Sequence, residues 1–167
     1  RGKMIVAEGK QFSISWPFTG IIPIFPIPKD DKFKPEILSG LIDRWAKDLL
    51  AKEDKKRQGG DTYWGGKSML KTCQAFNMAW QLQLPVAKDL YAEARRITAD
   101  WLTHEPGEKA FYYARYPLPW SGLVGFNPSY GSEQFTDNHF HYGYLAMSVA
   151  LVGMHDPAWL AKYGPPA

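Results

Sequence analysis

The stretch P-E-I-L-S-G-L-I-D-R-W-A-K-D-L-L, Pro35–Leu50, points to the fold class. Its apolar side chains recur three and four positions apart, with charged side chains between them, which is typical of a helix with one buried face. The apolar positions are Leu38, Leu41, Ile42, Trp45 and Leu49. Proline suits the first position of a helix, where its missing N–H is not needed. The stretch therefore predicts an amphipathic helix that begins at Pro35.

Helical spacing returns four more times along the chain, over about 66–82, about 86–103, from near 138 through 152, and over 156–163. The last of these opens with D-P-A-W, an N-cap Asp followed by Pro in the first turn. Residues 111–132 are rich in Gly, Pro and aromatic residues and indicate a long structured loop, a common place for binding residues. A mainly α fold follows, either a helical hairpin array or part of an α/α barrel (toroid).

The N-terminal part of the chain has a different character. Apolar and polar residues alternate over Phe12–Trp16, which predicts a short strand. Four prolines within Pro17–Pro28 exclude a helix or a central strand there. We therefore divide the chain into an extended or β lead-in segment, 1–28, and a helical segment, 29–167.

The composition narrows the possible partners. The net charge is only +3, and the main charged run, Lys52–Arg57, mixes both signs, so we expect no nucleic-acid partner. A signal peptide or an apolar run of membrane-spanning length is not found, so we expect no membrane partner. The single cysteine, Cys73, lies in a helical stretch and is expected to be a small buried side chain. Aromatic residues make up 15% of the chain, enough to fill a core or to line a binding surface.

The ten residues F-T-D-N-H-F-H-Y-G-Y, Phe135–Tyr144, crowd an acid, two histidines and four aromatic rings in front of an apolar helix. One interpretation is a metal site, because Asp137 and His141 share a helical face at i and i+4. His104, His155 and Asp156 are further candidate ligands, but their spacing is not typical of a metal site. A second interpretation is a packed aromatic core in which Asp137 caps the helix.

A third interpretation is a subsite for a sugar. Sugars present apolar C–H faces that stack on aromatic rings, and hydroxyl groups that need polar partners. Glycoside hydrolysis needs a carboxylic acid held protonated near the leaving oxygen, together with a second carboxylate. A carboxyl group surrounded by rings meets the first demand, because desolvation favours its protonated form. Asp137 would then be the acid.

The same ten residues resemble the signature of the family 81 glycoside hydrolases, the endo-β-1,3-glucanases. The usual signature is D-H-H-F-H-Y-G-Y, so this chain departs from it at Asn138. Three other segments resemble family segments in the expected order: the proline-rich Pro17–Pro28, the helix start D-T-Y-W-G-G-K at Asp61–Lys67, and the loop W-S-G-L-V at Trp120–Val124. The resemblance covers most of the chain from about Phe12 onward.

This resemblance implies an α/α-barrel catalytic domain that cleaves internal β-1,3-glucan bonds with inversion and without a cofactor. It places the general acid at Asp137, and it gives His141 contact with sugar hydroxyls or with the acid. Stacking or hydroxyl contacts are expected from Tyr63, Trp64, Trp120, Tyr142 and Tyr144. Lys67 is expected to position a loop or a sugar. Family members act on external or cell-wall glucan, which implies an extracellular or cell-wall location.

The general base of the family is a Glu well downstream of the signature, beyond Ala167. The nearest acid, Glu133, fits a solvated loop residue better than a base. A chain that starts with Arg and ends with G-P-P-A also suggests an excised piece, about half of the barrel, whose partner is the rest of its own catalytic domain. Two alternatives remain: a glucan-binding helical module without catalysis, and a metal-dependent enzyme that uses Asp137 and His141.

Overall fold

The computed structural model describes residues 6, 8–11, 13, 24–53, 59–103, 111–115, 121–125 and 127–165, and of residues 111–115 and 121–124 it describes the backbone alone. Within these ranges the α-helices are α1 (Pro35–Leu50), α2 (Trp64–Gln81), α3 (Ala87–Leu102), α4 (Asn138–Gly153) and α5 (Pro157–Tyr163). The remaining elements are the strands β1 (Phe111–Arg115) and β2 (Ser121–Gly125) and a short 3-10 helix, Ser132–Gln134. The prediction of a mainly α chain is confirmed.

Helix α2 is the centre of the helical core. It packs along its length against α3 and α4, and α5 packs against α4, whereas α1 makes a smaller contact with α2. The fully buried large side chains of the core are Met69, Phe76, Leu90, Ile97, Trp101, Leu151 and Val152. Burial of one such side chain contributes roughly 1.5–3 kcal/mol, so these contacts fix the relative positions of α2, α3 and α4. Cys73 is part of this core, as expected, and its burial raises the pKa of the thiol to about 11.

The end of α2 is set by a left-handed residue. Gln83 has φ +55°, and the N–H of the next residue, Leu84, donates to the carbonyl oxygen of Ala79 at 2.9 Å. This hydrogen bond satisfies a carbonyl group at the end of the helix that has no hydrogen-bond partner within the helix. Pro85 follows at once and cannot continue the helix. The predicted break between the second and third helices is therefore confirmed.

Helix α5 is capped as its D-P-A-W sequence predicts. The Asp156 carboxylate accepts the backbone N–H of Trp159 at 2.9 Å, and Pro157 occupies the first turn. Gly153, at the end of α4, allows α5 to approach closely, because a Cβ atom at this position would lie 2.9 Å from Leu160. The α4–α5 pair is thus fixed by one polar cap and one close contact.

The prediction of a loop over residues 111–132 is wrong for residues 111–115 and 121–125, which are strands. Strands β1 and β2 pair antiparallel, with Tyr113 opposite Leu123. The aromatic and β-branched residues of these segments favour strands, and the pairing satisfies their backbone groups. The Gly and Pro content had suggested irregular structure instead.

Leu41, predicted on the buried face of α1, and Trp80 of α2 are both exposed. Leu41 is half-exposed because α1 makes only a small contact with α2. Trp80 lies at the last turn of α2, and 47% of its surface is accessible. Its ring meets that of His155 edge-on at 5.1 Å and lies tilted to that of Tyr91 at 6.3 Å, at the margin of the core.

The lead-in segment is described only in part. The strand predicted over Phe12–Trp16 lies outside the described residues, apart from Ser13. Residues 25–30 form neither helix nor strand. Gln81 holds this segment against the end of α2, since its side chain donates to the carbonyl oxygen of Phe25 and accepts the N–H of Ile27. In the part of the chain that the structure describes, no helix has the length and apolar character needed to cross a membrane.

Candidate active site

The turn that precedes α2 is organised by Asp61. Its Oδ1 atom accepts the backbone N–H groups of Tyr63 at 2.8 Å and of Trp64 at 2.7 Å. These are two of the N–H groups that the start of a helix leaves without partners, so the carboxylate acts as the cap of α2. The next residue, Thr62, is buried. The Asp61–Trp64 turn therefore has a fixed backbone, and it is one wall of the site.

The loop in front of α4 forms the facing wall. Tyr130, Gly131, Phe135 and Asp137 all have φ between +51° and +73°. Left-handed backbone is uncommon for residues with side chains, and it clusters at functional sites. The Thr136 hydroxyl lies 3.1 Å from the carbonyl oxygen of Tyr130 and 3.0 Å from that of Gly131, so the loop is closed by its own hydrogen bonds.

Asp137 lies at the junction of this loop and α4. Its carbonyl oxygen accepts the N–H of Phe140 at 2.9 Å, but its side chain caps no amide of the helix. The side chain is exposed, so the expectation of a carboxyl group buried among rings is wrong. The positive φ turns the residue out of the first helical turn, and Phe140, one of the rings expected to cover it, is itself exposed and rests on His139 at 4.3 Å. The carboxylate is thus open to solvent instead of being tied to the helix start.

His141, one turn further along α4, is the buried polar group of the site. Only 1% of its surface is accessible, and its Nδ1 atom lies 2.7 Å from Oγ1 of Thr62. Burial lowers the pKa of the imidazole, and the charges of Asp137 and Asp61 oppose that shift. The Nε2 atom is buried and has no hydrogen-bond partner among the described residues.

Tyr63 joins the two walls. The centroid of its ring lies 4.5 Å from that of Tyr130, 5.7 Å from His141 and 6.0 Å from Tyr144. The ring of Trp64 meets it edge-on at 5.1 Å. Tyr130 and Trp64 are 57% and 54% exposed, so the cluster presents apolar ring surface to solvent.

Lys67 lies one turn further along α2 and adds a positive charge to this cluster. Its Nζ atom is 5.1 Å from the ring centroid of Tyr63 and 5.0 Å from that of Trp64. A cation at this range is attracted to the ring faces. The ammonium group therefore helps to hold the two rings, while the lysine side chain itself stays exposed.

Tyr144 packs on α2 at a glycine. A Cβ atom on Gly66 would lie 2.9 Å from Cδ2 of Tyr144, so only glycine allows this approach without a shift. Burial raises the pKa of the Tyr144 hydroxyl, the nearby Tyr63 acts in the same direction, and the charge of Lys67 opposes it. Tyr144 is therefore held between α2 and the ring of Tyr63.

The predicted site residues separate into three groups. Tyr63, Trp64, Lys67, His141 and Tyr144 lie together, and Asp137 is adjacent to them on α4. Tyr142 is half-buried and packs against the hydrophobic core. Trp120 lies outside the described residues. Glu133, which was expected to be a solvated loop acid and not a site residue, is exposed in the 3-10 helix.

Three residues of the site were not singled out from the sequence: Asp61, Thr62 and Tyr130. The first two lie in the segment that resembles a family helix start, and the D-T-Y-W pattern of an acid just before a helix was the available signal. Nothing in the sequence links Thr62 to a histidine 79 positions away.

The described residues also bear on the metal interpretation. They contain no group of three or more His, Cys, Asp or Glu side chains placed to hold a metal ion. Of the further ligands considered, His155 and Asp156 lie at the other end of α4 from Asp137, and His104 falls outside the described residues. Asp137 and His141 are therefore not accompanied by a third ligand in these ranges.

Comparison with known protein families identifies the chain. The sequence profile of the Glycosyl hydrolase family 81 C-terminal domain matches residues 32–166. The chain belongs to glycosyl hydrolase family 81. The matched residues, 32–166, thus include every described helix and both walls of the site.

Curated relatives of this family 81 chain carry the same kind of name. A glucan endo-1,3-beta-D-glucosidase of Acetivibrio thermocellus is 34% identical over 166 residues, which is 97% of this chain and 20% of the relative. One of Thermobifida fusca is 32% identical over 170 residues, 99% of this chain and 21% of the relative. A primary septum glucan endo-1,3-beta-D-glucosidase of Schizosaccharomyces pombe is 32% identical over 56 residues, 29% of this chain and 6% of the relative.

The chain spans about a fifth of the length of the two bacterial relatives. No solved structure gives a significant match to it. The arrangement of Asp137, His141 and the rings around Tyr63 is therefore described from this family 81 chain itself.

Proposed function

We propose that the protein is an endo-acting glycoside hydrolase that cleaves internal β-1,3-glucosidic bonds of a laminarin- or callose-type glucan with inversion, and that Asp137 is its general acid. The observation that supports this proposal best is the setting of Asp137. Its carboxylate is exposed and makes no hydrogen bond to the helix start, and it lies one helical turn before the buried His141. His141 in turn contacts the exposed ring cluster through Tyr63.

The rings provide the sugar-binding surface in this proposal. Trp64 and Tyr130 both contact the ring of Tyr63, and each exposes more than half of its surface. Flat apolar ring faces match the C–H faces of a pyranose, and the tyrosine hydroxyls match its polar rim. A glucan chain that stacks here passes close to Asp137 at the start of α4.

Binding also prepares the acid. A sugar that covers the Asp137 carboxyl displaces water, and removal of water favours the uncharged, protonated form. The protonated carboxyl then gives its hydrogen to the departing glycosidic oxygen as the C–O bond breaks. A water molecule attacks the anomeric carbon from the opposite face, and a second carboxylate takes its proton.

That second carboxylate, the general base, is assigned outside residues 1–167. An inverting pair is separated by roughly 6.5–9.5 Å to admit the water. Asp61 is the other acid of the described site, and its Oδ1 atom is already engaged by two backbone amides. Both steps are proton transfers by side chains, so the proposal assigns no cofactor.

Product analysis tests this function. The full-length protein is incubated with laminarin, and the first products are followed by proton NMR and by chain-length separation. We expect a mixture of oligosaccharides whose new reducing ends first appear as the α-anomer. Release of glucose alone, or first appearance of the β-anomer, would contradict an endo-acting inverting enzyme.

A glucan-binding module without catalysis is the second candidate, and the exposed faces of Trp64 and Tyr130 favour it. The two functions separate in one assay. Binding of laminarin by the full-length protein, without any release of reducing ends, would support the module and exclude the hydrolase.

The proposal extends to the assembly and the location of the protein. The helices α1–α5 would form part of an α/α barrel that the rest of the catalytic domain completes, so this remainder and the β-1,3-glucan are its partners. An extracellular or cell-wall location is proposed with it. The naming of the Schizosaccharomyces pombe relative after the primary septum supports this location.

A further inference from the structure

The contact between Thr62 and His141 is the most enclosed polar contact of the site. Each residue has only 1% of its surface accessible, and their side chains meet at 2.7 Å. Thr62 lies in the turn capped by Asp61, and His141 lies in the first turn of α4. The pair therefore joins the two walls of the site at a point that solvent does not reach.

The hydroxyl of Thr62 decides which ring nitrogen carries the hydrogen. A buried hydroxyl group has one hydrogen to donate, and leaving it without an acceptor costs free energy. Among the described residues, Nδ1 of His141 is the acceptor within hydrogen-bond distance of this hydroxyl. A hydroxyl that donates to Nδ1 leaves the hydrogen of the neutral ring on Nε2.

Nε2 is then a donor without an acceptor. It is buried, and no described residue gives it a partner. Buried donors are almost always paired in proteins, so an unpaired one at a candidate site calls for an acceptor. The charged and titratable groups around the ring are Asp137 and His139 on α4, Asp61 in the turn, and Tyr63 with Lys67 on the facing helix.

We propose that Thr62 is a positioning residue that fixes the orientation of His141 and its Nε2–H tautomer, so that the ring offers an N–H donor to the Asp137 carboxylate. This proposal rests on the proposed glucan hydrolysis for its catalytic part. Its structural part, the tautomer, does not depend on any substrate. The lowered pKa of His141 agrees with it, since a neutral ring is the form that can accept a hydrogen bond at Nδ1.

The test compares three variants of the full-length protein with the wild type. Thr62→Val keeps the shape of the side chain and removes the hydroxyl, whereas Thr62→Ser keeps the hydroxyl. Thr72→Val is the matched control, because Thr72 is a buried threonine of α2 whose hydroxyl donates to the carbonyl oxygen of Ser68. The tautomer of His141 is read from nitrogen NMR shifts of histidine-labelled protein, with His141→Gln to assign the signal.

We expect the Nε2–H tautomer in the wild type, in Thr62→Ser and in Thr72→Val, and a mixture of both tautomers in Thr62→Val. On laminarin, Thr62→Val is expected to lower kcat by about tenfold with little change in KM, because one hydrogen bond to a buried group is lost. Thr62→Ser and Thr72→Val should stay within about twofold of the wild type.

An Nδ1–H tautomer in the wild type would overturn the proposal, and this measurement stands even if Thr62→Val does not fold. Equal kcat values for Thr62→Val and Thr62→Ser would overturn its catalytic part. Failure of the proposed function is distinguishable from this. A wild-type protein that does not hydrolyse laminarin would contradict the function, but the tautomer measured by NMR would still stand.

Discussion

The ring of Tyr144 lies directly against the backbone of Gly66, and a Cβ atom on that glycine would be 2.9 Å from Cδ2 and 3.3 Å from Cβ of the tyrosine. This approach brings the first turn of α2 and the start of α4 together. It also places Tyr144 against Tyr63, whose ring joins both walls of the site. The geometry of the site thus depends on a glycine at position 66.

Gly66→Ala is expected to displace Tyr144 and to lower both stability and activity. Alanine favours a helix over glycine by about 1 kcal/mol, but overpacking of a tight contact costs about 1–3 kcal/mol. We expect a net loss of about 1 kcal/mol in the free energy of unfolding and a lower kcat/KM on laminarin. Gly40→Ala is the control, because a Cβ atom at Gly40 in α1 meets nothing within 4 Å. A Gly66→Ala variant as stable and active as Gly40→Ala would contradict the contact.

Tyr63→Ala is expected to weaken substrate binding. Its ring contacts Tyr130, Trp64 and Tyr144, and aromatic pairs contribute about 0.5–1.5 kcal/mol each beyond their buried area. We expect KM for laminarin to rise about tenfold, while Tyr63→Phe, which keeps the ring, stays close to the wild type. Steady-state kinetics on a laminarin concentration series give the answer, and an unchanged KM in Tyr63→Ala would remove the ring cluster from the binding surface.

A half-buried histidine, His155, gives the protein a dependence of stability on pH. Gln81 donates to the Asn77 side-chain oxygen, so the Asn77 amide nitrogen faces Nε2 of His155 at 3.1 Å and requires a ring nitrogen without a hydrogen. Burial lowers the pKa of His155 below its ordinary value of 6.5. The unfolded chain therefore takes up a proton at a higher pH than the folded protein, and stability falls as the pH drops below about 6.5.

We expect urea denaturation midpoints to fall between pH 7.5 and pH 5, with His141 contributing in the same direction because burial lowers its pKa as well. The variant His155→Gln keeps an acceptor for Asn77 and does not titrate, so its midpoints should fall less steeply. His139→Gln, at an exposed position, is the control and should follow the wild type. If the urea midpoint changes with pH equally steeply in His155→Gln and in the wild type, the pKa of His155 is the same in the folded and unfolded protein.

Local signals predicted the helices well and the contacts between them poorly. Pro35 and the D-P-A-W sequence at Asp156 mark helix starts by their own backbone chemistry, and both were confirmed. Strands β1 and β2 were missed because the pairing of two segments, and not their composition, makes them strands. The Thr62–His141 contact was missed for the same reason, since tertiary packing alone brings the two residues together.

The resemblance of the sequence to a family pointed to Asp137 as a candidate acid and to most of the ring residues, but it did not give their environment. Asp137 was expected under aromatic rings and is exposed, because its left-handed backbone turns it away from the helix. A positive φ at a single residue leaves no periodic trace in a sequence.

Asp137→Asn in the full-length protein tests the central claim most directly. Asn tolerates the left-handed backbone at this position as Asp does, so the change removes the ionisable group and leaves the turn intact. Glu133→Gln is the matched control, an exposed acid of the same loop. We predict that Asp137→Asn lowers the rate of laminarin hydrolysis by about 10²–10⁴-fold, which is the usual contribution of a general acid. Glu133→Gln should keep the wild-type rate. An Asp137→Asn variant that retains more than about a tenth of the wild-type rate would contradict the assignment.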